Sequence, residues 1–160
     1  MTVSVWRIGT DTPDYTAEDL KGKGAEITGG RWNRRGAAVI YASKSIALAC
    51  LETVVHLNAG SGLPLNRYLV EITFPDAQWA ARTVLHEKAL PVGWDAIPPG
   101  ALTLDLGDGW LSEKATLLLE IASVVVPEET NVLLNPAHPL ASHVQAAKLC
   151  RWTYDPRVRH

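Results

Sequence analysis

Apolar and polar positions alternate in two stretches of this 160-residue chain, VSVWRI at 3–8 and RYLVEITF at 67–74. A period of two marks a half-buried strand, so both are predicted as strands. AAVIYAS (37–43) is a short β-rich run that predicts a buried strand. The residues after it are apolar almost throughout, and Ser43 or Ser45 can cap a helix that runs to about Asn58. Before AAVIYAS, the stretch DTPDYTAEDLKGKGAEITGG reads as a turn, a short helix and an irregular glycine-rich segment. GSGLP (60–64) is a break.

The second half is patterned differently. Residues 75–111 are rich in Pro, Gly and Trp and predict irregular structure with short helical or strand pieces. SEKATLLLEIA (112–122) fits a helix capped by Ser112, and SVVVPEE a strand stopped by Pro127. NVLLNP (131–136) is a further short extended run, HPLASHVQAAK (138–148) fits a short helix, and LCRWTYD (149–155) a last strand. Helices and strands mix without a regular βαβ rhythm. That argues against a parallel doubly wound sheet and for an α+β domain with a compact mixed sheet. The length fits one domain over residues 1–160.

Composition narrows the class. Hydrophobic residues make up 47% and charged residues 20%, which fits a soluble globular chain. The formal net charge is −2 and no long block of lysine or arginine occurs, which argues against a nucleic-acid binder driven by phosphate neutralisation. Cys50 and Cys150 lie far apart among apolar neighbours and read as buried free thiols in a reducing compartment. No metal-ligand spacing is present, so no metal is expected. The N-terminus lacks a signal-peptide pattern, and no stretch approaches the ~20 apolar residues of a membrane span. A cytoplasmic location is expected. GGRWNRRG does not match GxGxxG, and no GxxxxGK[ST] loop occurs.

Several residues could carry chemistry. Glu52 is the lone acid in the apolar run; on a helix from Ser45 it shares a face with Ser45, Ala49 and His56. That face is either a solvent stripe with a weak Glu52–His56 pair or the wall of a cleft. Arg31 and Trp32 follow Gly29 and Gly30, which permit close backbone approach to a ligand. The planar fork of Arg31 suits phosphate; the plainer alternative is a surface arginine stacked on Trp32. Asn33, Arg34 and Arg35 form a solvated loop by default. Tyr41 alone reads as a core tyrosine with a satisfied hydroxyl, Ser123 as a strand-entry residue, and Asn131, Asn135 and His138 as turn residues.

The ordered set GGRWNRRGAAVIYAS, ALACLETVVHL, SVVVPEETNVLLNPAHP and YDPR resembles the RES-domain toxin family over almost the whole chain. That family is named for a spaced Arg, Glu and Ser, which fall on Arg31, Glu52 and Ser123. The chain departs from the family's pattern in having Ala122 and Glu120 where proline and arginine are common, and Arg34-Arg35-Gly36 where proline is usual. The resemblance implies a toxin of a type II toxin–antitoxin pair, with a helix-turn-helix (Xre-type) antitoxin as partner in a hetero-oligomer. It also implies a largely antiparallel mixed sheet similar to ADP-ribosyltransferases, with NAD as substrate.

The residues suit that chemistry. Nicotinamide leaves NAD as a neutral molecule, so its departure needs no proton. Glycosidases need two carboxylates because their leaving oxygen must be protonated. Here one carboxylate can stabilise the oxocarbenium-like ribose, and apolar surroundings strengthen its field. The resemblance thus implies Glu52 as the acid, Arg31 as the diphosphate grip, and Tyr41 with Trp32 packing on the nicotinamide ring. Ser123 would bond the nicotinamide or its ribose, with Asn131 and Asn33 positioning. NAD hydrolysis or phosphorolysis is the leading expectation and ADP-ribosylation of a protein the alternative. A non-catalytic partner-binding module is the reading from another class.

Overall fold

The structure is a computed structural model, and it describes every residue except 59, 159 and 160. The chain order is β1 (Thr2–Thr10), α1 (Lys23–Thr28), β2 (Ile40–Ser43), α2 (Ile46–Val54), β3 (Arg67–Pro75), α3 (Asp76–Ala81), β4 (Thr83–Leu85), α4 (Ala101–Glu113), β5 (Leu118–Ala122), β6 (Thr130–Leu134) and β7 (Gln145–Arg151), with short 3-10 turns at Glu87–Ala89, Pro139–His143 and Pro156–Val158. The strands form one seven-stranded sheet in the order β4-β5-β6-β2-β1-β3-β7. Every neighbouring pair is antiparallel except β4 with β5. The mixed, largely antiparallel sheet expected from the sequence is therefore present. No described helix is long and apolar enough to cross a membrane.

Strand pairing fixes which residues share a face, because side chains alternate along each strand. Trp6 of β1 pairs with Ser43, Ser43 with Asn131, and Asn131 with Ile121, so these four form one row across β1, β2, β6 and β5. On that face, α4 and the Arg31–Trp32 segment cover a cluster containing Trp32, Trp94, Trp110, Leu119, Ile121 and Leu133. Beside it, α2 and the chain end cover Ile8, Ala49, Leu69 and Tyr154. The opposite face buries Val5, Ala42, Val70, Ile72, Phe74, Leu118 and Val132. The functional candidates lie on the first face.

The patterned elements form where the sequence places them. β1 and β3 pair over their full lengths, from Thr2 opposite Pro75 to Thr10 opposite Arg67. Ser45 caps α2, its Oγ accepting the Leu48 N–H at 3.1 Å. α2 ends at Val54, short of the expected Asn58. Other expectations are corrected. Residues 112–122 are not a helix capped by Ser112: Ser112 lies in the last turn of α4, which stops at Lys114 with φ 53°, and Leu118–Ala122 is a strand buried at every residue. A strand covered on both faces is continuously apolar and shows no alternation. SVVVPEE is a turn rather than a strand: the Ser123 Oγ accepts from the N–H groups of Val125 and Val126, both at 3.1 Å.

Residues 138–148 are also not a helix. A 3-10 turn covers Pro139–His143, capped by the His138 Nδ1 accepting from Leu140 N–H at 3.1 Å, and β7 starts at Gln145 to pair with β3. β7 ends at Arg151, so the expected strand over 149–155 stops early. The stretch read as irregular contains the thirteen-residue helix α4. Its Gly107 allows close approach: a Cβ there would lie 1.8 Å from the Trp32 carbonyl oxygen. Both cysteines are free, but neither is fully buried: Cys50 is half-buried, and Cys150, on the edge strand β7, is exposed.

Glu120 lies on the opposite face of β5, and its charge is met there. The carboxylate is 2% exposed. It accepts from Arg82 Nε at 2.5 Å, Thr130 Oγ1 at 2.7 Å and Lys44 Nζ at 2.9 Å. The Arg82 guanidinium also lies 3.9 Å from the Trp79 ring centroid. Burial pushes the Glu120 pKa up, but the bonds from Arg82, Thr130 and Lys44 outweigh it and hold it at about 2, below its ordinary 4.5. A depressed folded-state pKa contributes stability that is complete above about 4.5 and is lost as pH falls toward 2. Glu120→Gln should lower stability at neutral pH by about 2–3 kcal/mol, less than for a fully buried pair because Arg82 keeps some solvent contact. Thermal melts should show the variant well below wild type at pH 7, with the gap closing between about pH 5 and pH 2. A gap independent of pH would remove the ionised Glu120 from the account.

Candidate active site

α2 carries Glu52 toward the sheet, half-buried. Its Oε1 accepts two short bonds, from Ser123 Oγ at 2.6 Å and from Asn131 Nδ2 at 2.6 Å. None of the described residues donates to its Oε2. Ser123 is fully buried, and its one hydroxyl proton is committed to Glu52 while its lone pairs take the two backbone N–H groups of the turn. Glu52 is therefore neither a solvent-stripe residue nor a partner of His56, which lies beyond the helix end and is exposed.

Arg31 is half-buried, and its Nη1 donates to the carbonyls of Trp94 and Ala96, each at 2.9 Å. Its Nε and Nη2 have no partner among the described residues. Burial lowers the Arg31 pKa from its ordinary value, and Asp95, Glu52 and Tyr41, in that order, pull it back. Those groups are thus within electrostatic reach of the guanidinium. The Tyr41 hydroxyl donates to Asn33 Oδ1 at 2.6 Å and accepts the Trp32 N–H at 3.1 Å. Burial pushes the phenol above its ordinary pKa; the Trp32 bond and Arg31 oppose this and Asp108 adds to it, so the group stays a neutral hydroxyl.

Two other candidates sit behind this cluster. Trp32 is 4% exposed and packed with Trp94 and Trp110 rather than stacked under Arg31. Asn33 is completely buried, and its Nδ2 donates to the Ala25 and Ala37 carbonyls, both at 2.9 Å. The expectation of a solvated Asn33–Arg35 loop holds for the exposed Arg34 and Arg35 and is corrected for Asn33. Asn33 closes the loop from inside, and Arg34 is pinned to α4 through Asp105 at 2.6 Å and Asp108 at 2.8 Å. Gly30 serves this packing: a Cβ there would lie 2.8 Å from the Tyr41 hydroxyl.

The fold thus joins Glu52, Ser123 and Asn131 by hydrogen bonds, and Glu52 and Tyr41 act electrostatically on the Arg31 guanidinium. Trp32 and Asn33 expose almost no surface to a ligand. Two features were not picked out from the sequence. One is Ser43, whose Oγ donates to Asn131 Oδ1 at 2.7 Å; strand alternation from Tyr41 puts it on the site's face. The other is the pair of carbonyls at Trp94 and Ala96, which no residue type could signal. Among the described residues, no group of three or more His, Cys, Asp or Glu side chains is placed to hold a metal ion.

Comparison with known proteins identifies the family. The RES domain family model matches residues 4–156. The chain belongs to the RES domain family. Relatives of this RES chain include the "Prs ADP-ribosylating toxin" of Sphingobium sp. (strain YBL2), 58% identical over 158 residues that cover 99% of this chain and 98% of the relative. "Toxin Res" of Yersinia enterocolitica serotype O:8 is 36% identical over 146 residues, covering 91% and 93%. Among solved structures, the M. tuberculosis MbcT–MbcA toxin–antitoxin complex contains a chain that matches with a TM-score of 0.63 at 15% identity, covering 94% of this chain and 85% of that one. At that identity the likeness shows a shared fold.

In the RES chain, Tyr41 has a structural duty that can be measured. Tyr41→Phe leaves the Asn33 Oδ1 and the Trp32 N–H without a partner. Each such group costs about 1–3 kcal/mol when buried, so a loss of about 2–4 kcal/mol is expected. The thermal midpoint should fall by roughly 5–15 °C. A midpoint within about 2 °C of wild type would show that water replaces the hydroxyl without loss.

Proposed function

We propose that this chain is the toxin of a toxin–antitoxin pair, a single RES-type domain that cleaves NAD between nicotinamide and ribose and transfers the ADP-ribose to a protein. The observation that carries the reading is the state of Glu52: one carboxylate oxygen is held by two donors and the other is without a protein partner, beside Arg31 and Tyr41. A carboxylate so fixed supplies a negative charge where positive charge develops on the ribose, and it need not reorganise during the reaction. In this reading Oε2 faces the ribose. The Nε and Nη2 of Arg31 bind the diphosphate, while the loop carbonyls hold its Nη1. The Tyr41 ring offers a face to the cationic nicotinamide.

The same reading reassigns the remaining candidates. Ser123 and Asn131 orient Glu52, since their donors are already spent on it. Trp32 and Asn33 frame Tyr41 and the arginine loop. Transfer to a protein is preferred to release because the 58% identical relative is named an ADP-ribosylating toxin. Hydrolysis or phosphorolysis is the second reading, favoured by the half-buried position of Glu52, which lets small acceptors reach it. The first bond-breaking step is common to both. An antitoxin partner is supported by the toxin–antitoxin complex of matching fold; we assign it to the Xre helix-turn-helix class from the family resemblance, in a hetero-oligomer with the toxin. A cytoplasmic site of action follows, because NAD and its antitoxin must both be within reach.

Incubating the purified chain with NAD, with and without cell extract, and identifying products by mass spectrometry tests the reading. Free nicotinamide with a protein mass gain of one ADP-ribose is expected; nicotinamide without modified protein selects the second reading, and no nicotinamide overturns both. Glu52→Gln should lower the rate by about 10²–10³ while leaving the melting curve in place. Arg31→Ala should act mainly on affinity, raising KM for NAD about 10–100-fold through loss of charge-assisted bonds.

A further inference from the structure

Ser43 ends β2 directly opposite Asn131 of β6, and it is 3% exposed. The direction of the hydrogen bonds between them can be derived. The Glu52 carboxylate can only accept, so the amide group that meets its Oε1 at 2.6 Å must be the Nδ2 of Asn131. The Oδ1 of Asn131 then points back at Ser43, and the Ser43 hydroxyl must donate across the 2.7 Å separation. The chain of donors runs one way, from Ser43 to Asn131 to Glu52.

We propose that Ser43 is a positioning residue of the active site: the Glu52 carboxylate dictates the amide orientation of Asn131, and the Ser43 hydroxyl, by donating to Oδ1, steadies that amide and through it the aim of Glu52. This inference rests on the proposed role of Glu52. The amide torsion of asparagine is broad and close to two-fold, so its side chain alone does not choose an orientation. With Ser43 in place, a flipped amide would set its oxygen against the carboxylate and lose the acceptor for the buried hydroxyl. Without Ser43, the Oδ1 loses its partner, the amide is held from the Glu52 side alone, and its bond to the carboxylate loosens. Ser43 touches neither NAD nor the reacting atoms in this account. Its effect passes entirely through Asn131.

That dependence gives the test. Rates of nicotinamide release are measured for wild type, Ser43→Ala, Asn131→Ala and the double variant. Ser43→Ala should lower kcat about 10-fold, the rate equivalent of one net hydrogen bond, and leave KM within about two-fold. In the Asn131→Ala background the same substitution should cost nothing further, because the relay is already broken. A merely structural role would cost as much in either background, and that result, or an unchanged kcat in Ser43→Ala, overturns the proposal. A second measurement separates this inference from the wider reading. In the 15N-labelled protein, the Asn131 side-chain NH2 should show one strongly downfield proton, which Ser43→Ala should shift upfield or broaden. An unchanged NH2 pair overturns the role of Ser43 even if no NAD is consumed, and a changed pair without NAD cleavage upholds the relay while removing the enzymatic reading.

Discussion

The architecture of the site depends on one carboxylate being held by one oxygen. An acid in apolar surroundings is costly unless hydrogen bonds compensate it. Here the compensation falls on a single oxygen of Glu52, through Ser123 and Asn131. This fixes the plane of the group and leaves its other oxygen available. It also demands that three elements meet: α2, strand β6, and the turn between β5 and β6. Ser123 serves two of these demands at once. Its hydroxyl oxygen shapes the turn by accepting from Val125 and Val126, and its proton goes to Glu52. Its full burial follows from those duties.

A second constraint is that Arg31 stands in a segment with little regular structure. Rigidity there comes from neighbours rather than from its own backbone ladder. Asn33 binds carbonyls on both sides of the loop, Tyr41 ties into Asn33 and Trp32, and Gly107 lets α4 lie against the Trp32 backbone. The Arg34 ion pairs are exposed and add little individually; the buried amide and hydroxyl contribute more, because each would be costly to leave unpaired. Trp94, 6% exposed, anchors the loop whose carbonyls take the Nη1 of Arg31. A guanidinium with one nitrogen fixed in this way keeps its other donors on a defined line.

The sequence made some of this legible and hid the rest for physical reasons. β1, β3 and the capped start of α2 were readable because alternation and capping are local signals. Arg31, Glu52 and Ser123 were singled out by family resemblance, and of these the structure joins Glu52 and Ser123 by a hydrogen bond. β5 was misread because a strand buried on both faces carries no period, and α4 was missed because Gly107, which serves packing on Trp32, and Gly109 look like loop residues. β7 was read as part helix because an edge strand answers to its partner β3 more than to its own composition. The parts played by Asn33 and Trp32 turn on burial, which sequence spacing does not report. Ser43 was adjacent to the helix cap and read only as an alternative cap. Its role depends on its partner 88 positions away.

Glu120 is a buried acid in the strand next to β6, which carries Asn131. An unpaired acid in a buried strand would ordinarily break the element around it. β5 tolerates it because Glu120 points to the face opposite Leu119 and Ile121, where Arg82, Thr130 and Lys44 converge. Lys44 stands between Ser43 and Ser45. Three consecutive residues therefore bond the buried acid behind the sheet, the Asn131 amide in front of it, and the first turn of the helix that carries Glu52. The Glu120 charge is met on the far side of the sheet, and the Ser43–Ser45 segment that helps meet it also bonds Asn131 and caps the helix that carries Glu52. Through Lys44, the buried Glu120 anion ties the start of α2 to the centre of the sheet.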